Sequence, residues 1–377
     1  MTLIQLILLV FFICLWLSIY GGLHYYLYKK MIPYCLPYKK SLIVVLGFFA
    51  GSVFIVEILS FTDFARIAYR FANISYFWMG LVFIFFFLSG ATDVLSFLLR
   101  KAGAGEKVHF LSSKYRTGIV GIVVTFLAIT GYMQARQINF EFIQLHSKKI
   151  IKPLRIIQIA DLHAGVQSDE KRVIKIVNQV NALKPDIIVA TGDLIEIHFG
   201  HTQRLSEILS GLKASLGKYA IYGNHEAMIG LEESKQLINA AGFTVLADQG
   251  VSPGRLITVV GVNDPAVTMK FKTDSKSEEL ILKTYSKGLY TILLKHQPRL
   301  NPGSTPYFDL QLSGHTHGGQ IFPFGLLTRL VYPLGFGLTK ITNDTFVYVS
   351  QGIGTWGPPM RLAAKPEINV FDISKAN

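Results

Sequence analysis

Long apolar runs fill the first third of the chain, and basic residues separate them. The four runs are Leu3–Tyr20, Ser41–Ser60, Tyr76–Thr92 and Gly118–Met133. A helix that crosses a bilayer needs about 20 apolar residues, with a lower bound of about 17. The first three runs meet that length, and the fourth does so with flanking residues. Four such runs so close together predict a membrane domain of about four helices over residues 1–133, rather than a set of buried core helices.

A different pattern begins after a predicted connector over residues 134–152. Short apolar runs rich in β-branched residues, bounded by Gly, Asp and Asn, predict β-strands. The predicted strands are Arg155–Ala160, Asp186–Thr191, Tyr219–Tyr222, Leu256–Val262, Tyr290–Leu294, Leu310–Leu312, Phe346–Ser350 and Ile368–Ile373. Between several of them, apolar residues recur at helical spacing. The predicted helices are Ser168–Leu183, Leu205–Leu216, Glu232–Ala241 and Ser277–Lys287. Strands that alternate with helices predict an α/β domain with largely parallel pairing over residues 153–377.

The basic charge of the chain is concentrated in its apolar part. Residues 1–150 contain 14 Lys and Arg against 5 Asp and Glu, a net charge of +9, whereas residues 151–377 have a net charge of +4. Because most of the surplus flanks the apolar runs, membrane topology explains it better than nucleic-acid binding, and we expect no nucleic-acid partner. The two cysteines, Cys14 and Cys35, both precede residue 151, so residues 151–377 cannot form an internal disulfide.

The basic residues between the runs also predict an orientation, because Lys and Arg concentrate in cytoplasmic loops. The first and third loops are the most basic, and the residues counted there are Lys29, Lys30, Lys39 and Lys40, then Arg100, Lys101, Lys107, Lys114 and Arg116. The second loop has only Arg66 and Arg70. We therefore expect a multi-pass protein of the cell membrane with its C-terminal domain on the external face. The basic residues that follow the last run, beginning with Arg136, reduce this bias.

Polar residues that can bind metals follow five of the predicted strands. Ligands of open α/β sheets bind beyond the carboxyl ends of the strands, so chemistry is sought there. Imidazole nitrogens and carboxylate or amide oxygens are ligands for divalent ions. The five blocks are Asp161-Leu-His163, Gly192-Asp193, Gly223-Asn224-His225-Glu226, His296, and Gly314-His315-Thr-His317. Taken singly, each block is more simply a cap, a turn or a loop histidine. Five strand ends with the same chemistry predict one shared metal site.

The ordered set of blocks resembles the calcineurin-like metallophosphoesterase family, in particular a bacterial membrane-attached branch. The resemblance covers residues 153–373 and extends to the stretches GHTHGGQI and SQGIGTWGPPMRLAAKPEI. It implies a β-sandwich flanked by helices, with two divalent ions such as Mn, Zn or Fe at the strand ends. By this resemblance Asp161, His163 and His317 would bind one ion, Asn224, His296 and His315 the other, and Asp193 would bridge them. The sequence departs from the family at Glu196, where an Asp is common, which leaves the supporting role of that position open.

Two metal ions suit the hydrolysis of phosphate esters. Such esters are anionic and repel hydroxide, and a pair of ions about 3.5–4 Å apart can clamp phosphoryl oxygens and lower the pKa of a water molecule. His225 directly follows a ligand position without being one, so we assign it the protonation of the leaving oxygen, with a structural role as the alternative. Glu226 follows His225 and is expected to orient its ring.

The predicted function is that of a membrane-anchored metal-dependent phosphohydrolase, more specifically a phosphodiesterase. Its expected partners are the lipid bilayer and a phosphate-ester substrate, with lipid or envelope-linked esters attractive because the domain is tethered beside the headgroups. The alternative is a non-catalytic membrane scaffold or receptor that a metal site only stabilises. All five blocks are intact, which favours catalysis. A transporter would require polar residues inside the apolar runs, and those runs contain very few.

Overall fold

The computed structural model describes residues 3–60, 65–103, 113–165, 168–196, 202–272 and 276–376. The chain divides into two compact units. The helical unit comprises Met1–Tyr132 with the short segment Gly357–Pro359, and the sheet unit comprises Met133–Trp356 with Met360–Asn377. The domain boundaries at residues 133 and 153 remain predictions.

The described residues of the helical unit form four long helices, α1 (Leu3–Met31), α2 (Lys39–Ser60), α3 (Ala65–Lys101) and α4 (Ser113–Ala135). Within the described residues, three segments are long and apolar enough to cross a membrane, namely Leu36–Leu59, Phe71–Lys101 and Tyr115–Ala135. They contain the second, third and fourth predicted runs. The first predicted run, Leu3–Tyr20, lies in α1, and several of its side chains fall outside the described residues. A membrane span at this first run therefore remains a prediction.

Twelve strands among the described residues of the sheet unit form two six-stranded sheets. The first sheet has the order β1-β12-β2-β3-β4-β5 and the second has the order β10-β11-β9-β8-β7-β6. The strands are β1 (Asn139–Ser147), β2 (Leu154–Ile159), β3 (Ile187–Thr191), β4 (Lys218–Ile221), β5 (Thr244–Val245), β6 (Gln249–Val251), β7 (Ile257–Gly261), β8 (Tyr290–Leu294), β9 (Leu310–Ser313), β10 (Gly337–Lys340), β11 (Phe346–Val349) and β12 (Glu367–Lys375). Neighbours β2, β3 and β4 pair in parallel, as do β7, β8 and β9, so the carboxyl ends of each set share an edge.

The helices of the sheet unit are short, and α5, α6 and α8 bury apolar side chains against the first sheet. They are α5 (Glu170–Ala182), α6 (Thr202–Ser210), α7 (Asn224–Ile229), α8 (Leu231–Ala240), α9 (Pro265–Phe271), α10 (Glu278–Tyr285) and α11 (Phe324–Val331). One apolar core lies between the sheets and includes Ile187 and Ile292, and another lies between the first sheet and α5 and includes Ile176. A β-sandwich flanked by helices is therefore confirmed, because burial on both faces of each central strand matches the uninterrupted apolar runs.

Polar side chains cap the first turns of two helices. Asp169 caps α5 by accepting a hydrogen bond from the Lys171 amide, and Ser277 caps α10 in the same way through the Leu280 amide.

The sequence pattern located the central strands better than the strand at the edge of the first sheet. The predicted connector over residues 134–152 contains β1, which pairs in parallel with β12 along nine residues. Sequence reasoning missed this strand because a half-exposed strand mixes apolar and polar residues without a long apolar run.

Candidate metal centre

Seven side chains that follow strand ends converge at one edge of the sheet unit. Asp161 and His163 follow β2, Asp193 follows β3, Asn224 begins α7 after β4, His296 follows β8, and His315 and His317 follow β9. The structure thus brings together all the residues that the sequence predicted as metal ligands. Whether they bind ions in the predicted way remains a proposal.

One group comprises Asp161, His163 and His317, whose potential ligand atoms all lie within 4.8 Å of one another. The Nε2 atoms of the two histidines are 3.0 Å apart, and both side chains are buried. The Asp161 carboxylate accepts hydrogen bonds from the backbone amide of His315, at 2.9 and 3.0 Å. This contact ties the loop after β2 to the loop after β9.

A second group comprises Asp193, His296 and His315, again with potential ligand atoms within 4.8 Å of one another. His296 Nε2 lies 3.2 Å from Asp193 Oδ2, 3.2 Å from His315 Nδ1 and 3.1 Å from Asn224 Oδ1. The other ring nitrogen of His296, Nδ1, is 2.8 Å from the Thr191 carbonyl oxygen, which can only accept a hydrogen bond. His296 therefore donates through Nδ1 and presents the lone pair of Nε2 to the group.

Asp193 belongs to two of the candidate groups, because its carboxylate also lies with His163 and His225. A carboxylate has two oxygens and can contact an ion on each side. The donor set of imidazole nitrogens, carboxylates and an amide oxygen is the kind that binds Mn, Fe, Zn or Co. Imidazole nitrogens that face each other at 3.0–3.2 Å repel through their lone pairs unless a proton or a cation lies between them. The residues present therefore fit divalent metal ions.

The charges of the cluster also favour cations. Burial lowers the pKa of His163, but the carboxylates of Glu196, Asp193 and Asp161 outweigh it and raise that pKa to about 9. For His296 the same opposition of burial and carboxylates raises the pKa to about 10. The surplus negative charge attracts positive charge to this edge, and a metal ion can supply it in place of a proton.

Five of the seven predicted ligands adopt a left-handed backbone conformation that is uncommon for residues with a side chain. Asp161, His163, Asp193, His315 and His317 have φ values of 50°, 48°, 51°, 74° and 49°. This backbone costs of order 1–3 kcal/mol at each residue and persists where the surrounding structure enforces it, as at functional sites. It also turns the chain sharply after each strand, so that His315 and His317 can point into different groups.

Glycines leave room for the carboxylates of the cluster. A Cβ atom on Gly223 would collide with Asp193 Oδ1, and one on Gly314 would collide with Asp161 Oδ2. The glycines that precede Asn224 and His315 are thus required by the close approach of neighbouring loops, within the first sheet at Gly223 and between the two sheets at Gly314, rather than by their own φ angles.

His225 lies beside the cluster and a carboxylate faces it. Its backbone amide donates to Asp193 Oδ1 at 2.9 Å, and its ring packs edge-on against His163 with centroids 4.6 Å apart. Glu196 Oε1 lies 3.5 Å from His225 Nδ1 and 3.4 Å from His163 Nδ1. Sequence reasoning had left the role of Glu196 open; the structure places its carboxylate between these two imidazoles.

The expectation that Glu226 orients the His225 ring is wrong. The Glu226 carboxylate is fully buried and accepts hydrogen bonds from four backbone amides, those of Asp193, Leu194, Ile195 and Gly223, at 2.8–3.2 Å. Burial raises the pKa of Glu226 to about 7, which the amide donors oppose. Glu226 therefore joins the loop after β3 to the loop after β4. The adjacent position in sequence misled the prediction, because α7 begins at Asn224 and turns consecutive side chains away from each other.

Arg361 is held by the loop that follows β11. Its side chain is fully buried and donates hydrogen bonds to the carbonyl oxygens of Gly354 and Gln351, at 2.6–2.9 Å. Its Nη2 atom lies 3.1 Å from His317 Nδ1. Arg361 thus fixes the loop after β11 beside His317.

Comparison with known proteins assigns the part of the chain that carries these residues to a known family. A family model described as calcineurin-like phosphoesterase matches residues 154–319. An uncharacterized metallophosphoesterase of Aquifex aeolicus is 33% identical over 254 residues, which cover 67% of this chain and 97% of the relative. An uncharacterized metallophosphoesterase of Campylobacter jejuni is 29% identical and the match covers 95% of this chain and 96% of the relative. A transmembrane protein with metallophosphoesterase domain from Danio rerio is 29% identical, with 78% and 71% covered.

Proposed function

Because the chain belongs to the calcineurin-like phosphoesterase family, we propose that it is a membrane-anchored hydrolase that cleaves phosphodiesters with two divalent metal ions. The observation that carries this proposal is the position of Asp193 Oδ2, which lies 3.9 Å from His163 Nε2 in one set of predicted ligands and 3.2 Å from His296 Nε2 in the other. One group would use Asp161, His163 and His317, and the other Asn224, His296 and His315. Bound there, two ions would hold phosphoryl oxygens and lower the pKa of a water molecule.

In the proposed reaction the oxygen of a water molecule attacks phosphorus and the bond from phosphorus to the leaving alcohol oxygen breaks. His225 donates its proton to that oxygen, and the proton lost by the water passes to solvent. The contact between Glu196 Oε1 and His225 Nδ1 supports this role, because a carboxylate stabilises a protonated imidazole and leaves Nε2 for the leaving oxygen. The buried contacts of Asp193 and Glu226 hold the loops in place while His225 acts.

A cavity beside the cluster offers space for an ester substituent of the substrate. A cavity of about 220 Å³ lies beside His296 and is lined by polar residues such as Asp264, Lys295 and Arg299. We propose that this cavity holds one of the two ester substituents of a phosphodiester.

The test is hydrolysis of bis-p-nitrophenyl phosphate by the purified full chain loaded with Mn²⁺ or Zn²⁺. We expect His225→Ala to reduce the rate by about 10²–10⁴-fold, as loss of a general acid does, with metal content unchanged. His146→Ala is the matched control, because His146 is exposed and its ring bonds to Ser374 outside the cluster. Faster hydrolysis of the diester than of p-nitrophenyl phosphate would support the diester assignment. Equal inactivity of the metal-loaded wild type and His225→Ala would favour the non-catalytic scaffold instead.

A further inference from the structure

Helix α11 carries an apolar surface that the fold leaves open to solvent. The sequence of the helix is FGLLTRLV, and every residue in it remains partly or fully exposed. The Leu330 side chain is 80% exposed. We call the exposed apolar side chains of this region the α11 surface, which consists of Phe322, Leu326, Leu327, Leu330, Val331 and Phe336. Exposed apolar side chains that occur together on one surface mark a site of interaction with a partner or a membrane, so these six indicate a binding surface.

The other side of α11 is fixed to the loop that bears two predicted metal ligands. A Cβ atom on Gly319 would collide with the backbone of Gly325, so the helix begins in direct contact with the loop. At the other end of the helix, the Tyr332 ring packs edge-on against His315, with centroids 5.4 Å apart. The α11 surface is therefore presented by a helix that is anchored at both ends.

The charge around the α11 surface suits the headgroups of anionic phospholipids. Residues 310–343 contain Arg329 and Lys340 and no acidic residue. Basic residues beside an exposed apolar helix are typical of segments that lie in the interfacial layer of a bilayer, where leucine and aromatic side chains enter the acyl boundary.

The chain itself keeps a bilayer close to this unit. Three segments of the helical unit are long and apolar enough to cross a membrane, and only three residues separate the end of α4 at Ala135 from the start of β1 at Asn139. The four residue steps from Ala135 to Asn139 span at most about 14 Å when fully extended. A bilayer is thus held at high local concentration beside the sheet unit and can bind the α11 surface.

We propose that the α11 surface inserts into the interfacial layer of the bilayer that holds the chain. Insertion would bring the edge with His315 to the lipid headgroups through the contact with Tyr332. Trp356 would also lie near the headgroups. Its ring centroid is 6.1 Å from that of His225, its backbone amide donates a hydrogen bond to Gln320 Oε1, and its carbonyl oxygen accepts one from Gln320 Nε2, both at 2.9 Å. Phosphate groups at the membrane surface would then have direct access to the metal centre. The insertion itself does not depend on the proposed hydrolysis.

The test measures the depth of α11 in a bilayer with the full chain in nanodiscs of phosphatidylcholine and phosphatidylglycerol. Cys14→Ser and Cys35→Ser remove the native thiols, and a nitroxide spin label is attached at Leu330→Cys. The matched control is a label at Leu280→Cys, because Leu280 is also a helical leucine of the sheet unit and is 53% exposed. Neither label displaces packed atoms, so both chains should fold. Electron paramagnetic resonance then compares collisions with oxygen and with a water-soluble nickel chelate.

We expect nickel collisions to be lost and oxygen collisions to be gained at Leu330, while the Leu280 label remains accessible to nickel. Equal nickel access at both positions would overturn the proposal. Spin–spin broadening at Leu330 that disappears on dilution with unlabelled chain would also overturn it, because it would assign the α11 surface to a second copy of the chain. The measurement does not use hydrolysis, so its failure would leave the proposed function untouched.

Discussion

Glu196 and Glu226 show how two carboxylates near one site acquire different tasks. Glu226 satisfies four buried backbone amides and holds two loops together. Glu196 instead lies within 3.5 Å of the Nδ1 atoms of His163 and His225. The sequence suggested that Glu226 orients His225, because the two residues are adjacent along the chain, and it left the role of Glu196 open. Contacts at this site are determined by which loops meet, and only the folded chain shows that.

We predict that Glu196→Gln weakens metal binding and hydrolysis together. A carboxylate beside the far nitrogen of a ligand histidine fixes the ring and increases its basicity, and its loss typically costs about 10–100-fold in metal affinity or activity. The measurements are competition with a chelator for the metal and the rate on bis-p-nitrophenyl phosphate.

Glu207→Gln is the control for this prediction. It removes the same charge from an exposed glutamate on α6 that pairs with Arg204, and it should change neither quantity. If Glu196→Gln bound metal as tightly as the control, the proposed orientation of His163 by Glu196 would be wrong.

At the scale of elements, the sharp turns after the strands determine the geometry of the site. Two parallel sets of strands end at the same edge, and left-handed residues such as Asp161 and Asp193 direct the chain back over it. The loop after β9 is constrained further, because it packs against the start of α11 through Gly319 and Gly325. The left-handed residues and the close glycine contact explain how short loops bring the seven predicted metal ligands together.

We predict that Gly319→Ala destabilises the protein more than Gly337→Ala. Both glycines have positive φ values, 82° and 89°, so each substitution costs roughly 1–2 kcal/mol for the backbone conformation alone. At Gly337 a Cβ atom has no described atom within 4 Å, whereas at Gly319 it collides with Gly325. The collision should add about 1–3 kcal/mol, as overpacking does, and should lower metal content by displacing His317.

The comparison uses thermal unfolding of the full chain in detergent and metal analysis of both variants. Equal shifts in the unfolding temperature would show that α11 can move away from the loop at little cost. That outcome would contradict a rigid contact between α11 and the metal-ligand loop.

At the scale of the whole molecule, the basic loops of the helical unit determine the expected orientation. Membrane-capable helices are found at three of the four predicted positions, and the side of the membrane on which the sheet unit lies remains a prediction from the counts of Lys and Arg. We predict that alkaline phosphatase fused after the C-terminal residue is active and that green fluorescent protein fused there is dark, because the former needs export and the latter fluoresces after folding in the cytoplasm.

The same reporters inserted after Lys101 serve as the control and should give the reverse result, since that loop is expected to be cytoplasmic. Fluorescence at the C-terminus combined with inactive alkaline phosphatase would place the sheet unit in the cytoplasm. The basic residues that follow α4, beginning with Arg136, would then have outweighed the two earlier loops.

The sequence by itself determined the division into apolar and α/β parts, the central strands and the residues at their ends. It could do so because apolar runs have lengths and periods that differ between spanning helices and buried strands, and because carboxyl ends of parallel strands share an edge. Only the tertiary structure decided that β1 extends the first sheet, that Glu196 rather than Glu226 faces His225, and that α11 keeps its apolar residues exposed. Each of these depends on contacts between segments far apart in the chain, and local pattern carries no information about which distant segment a side chain meets.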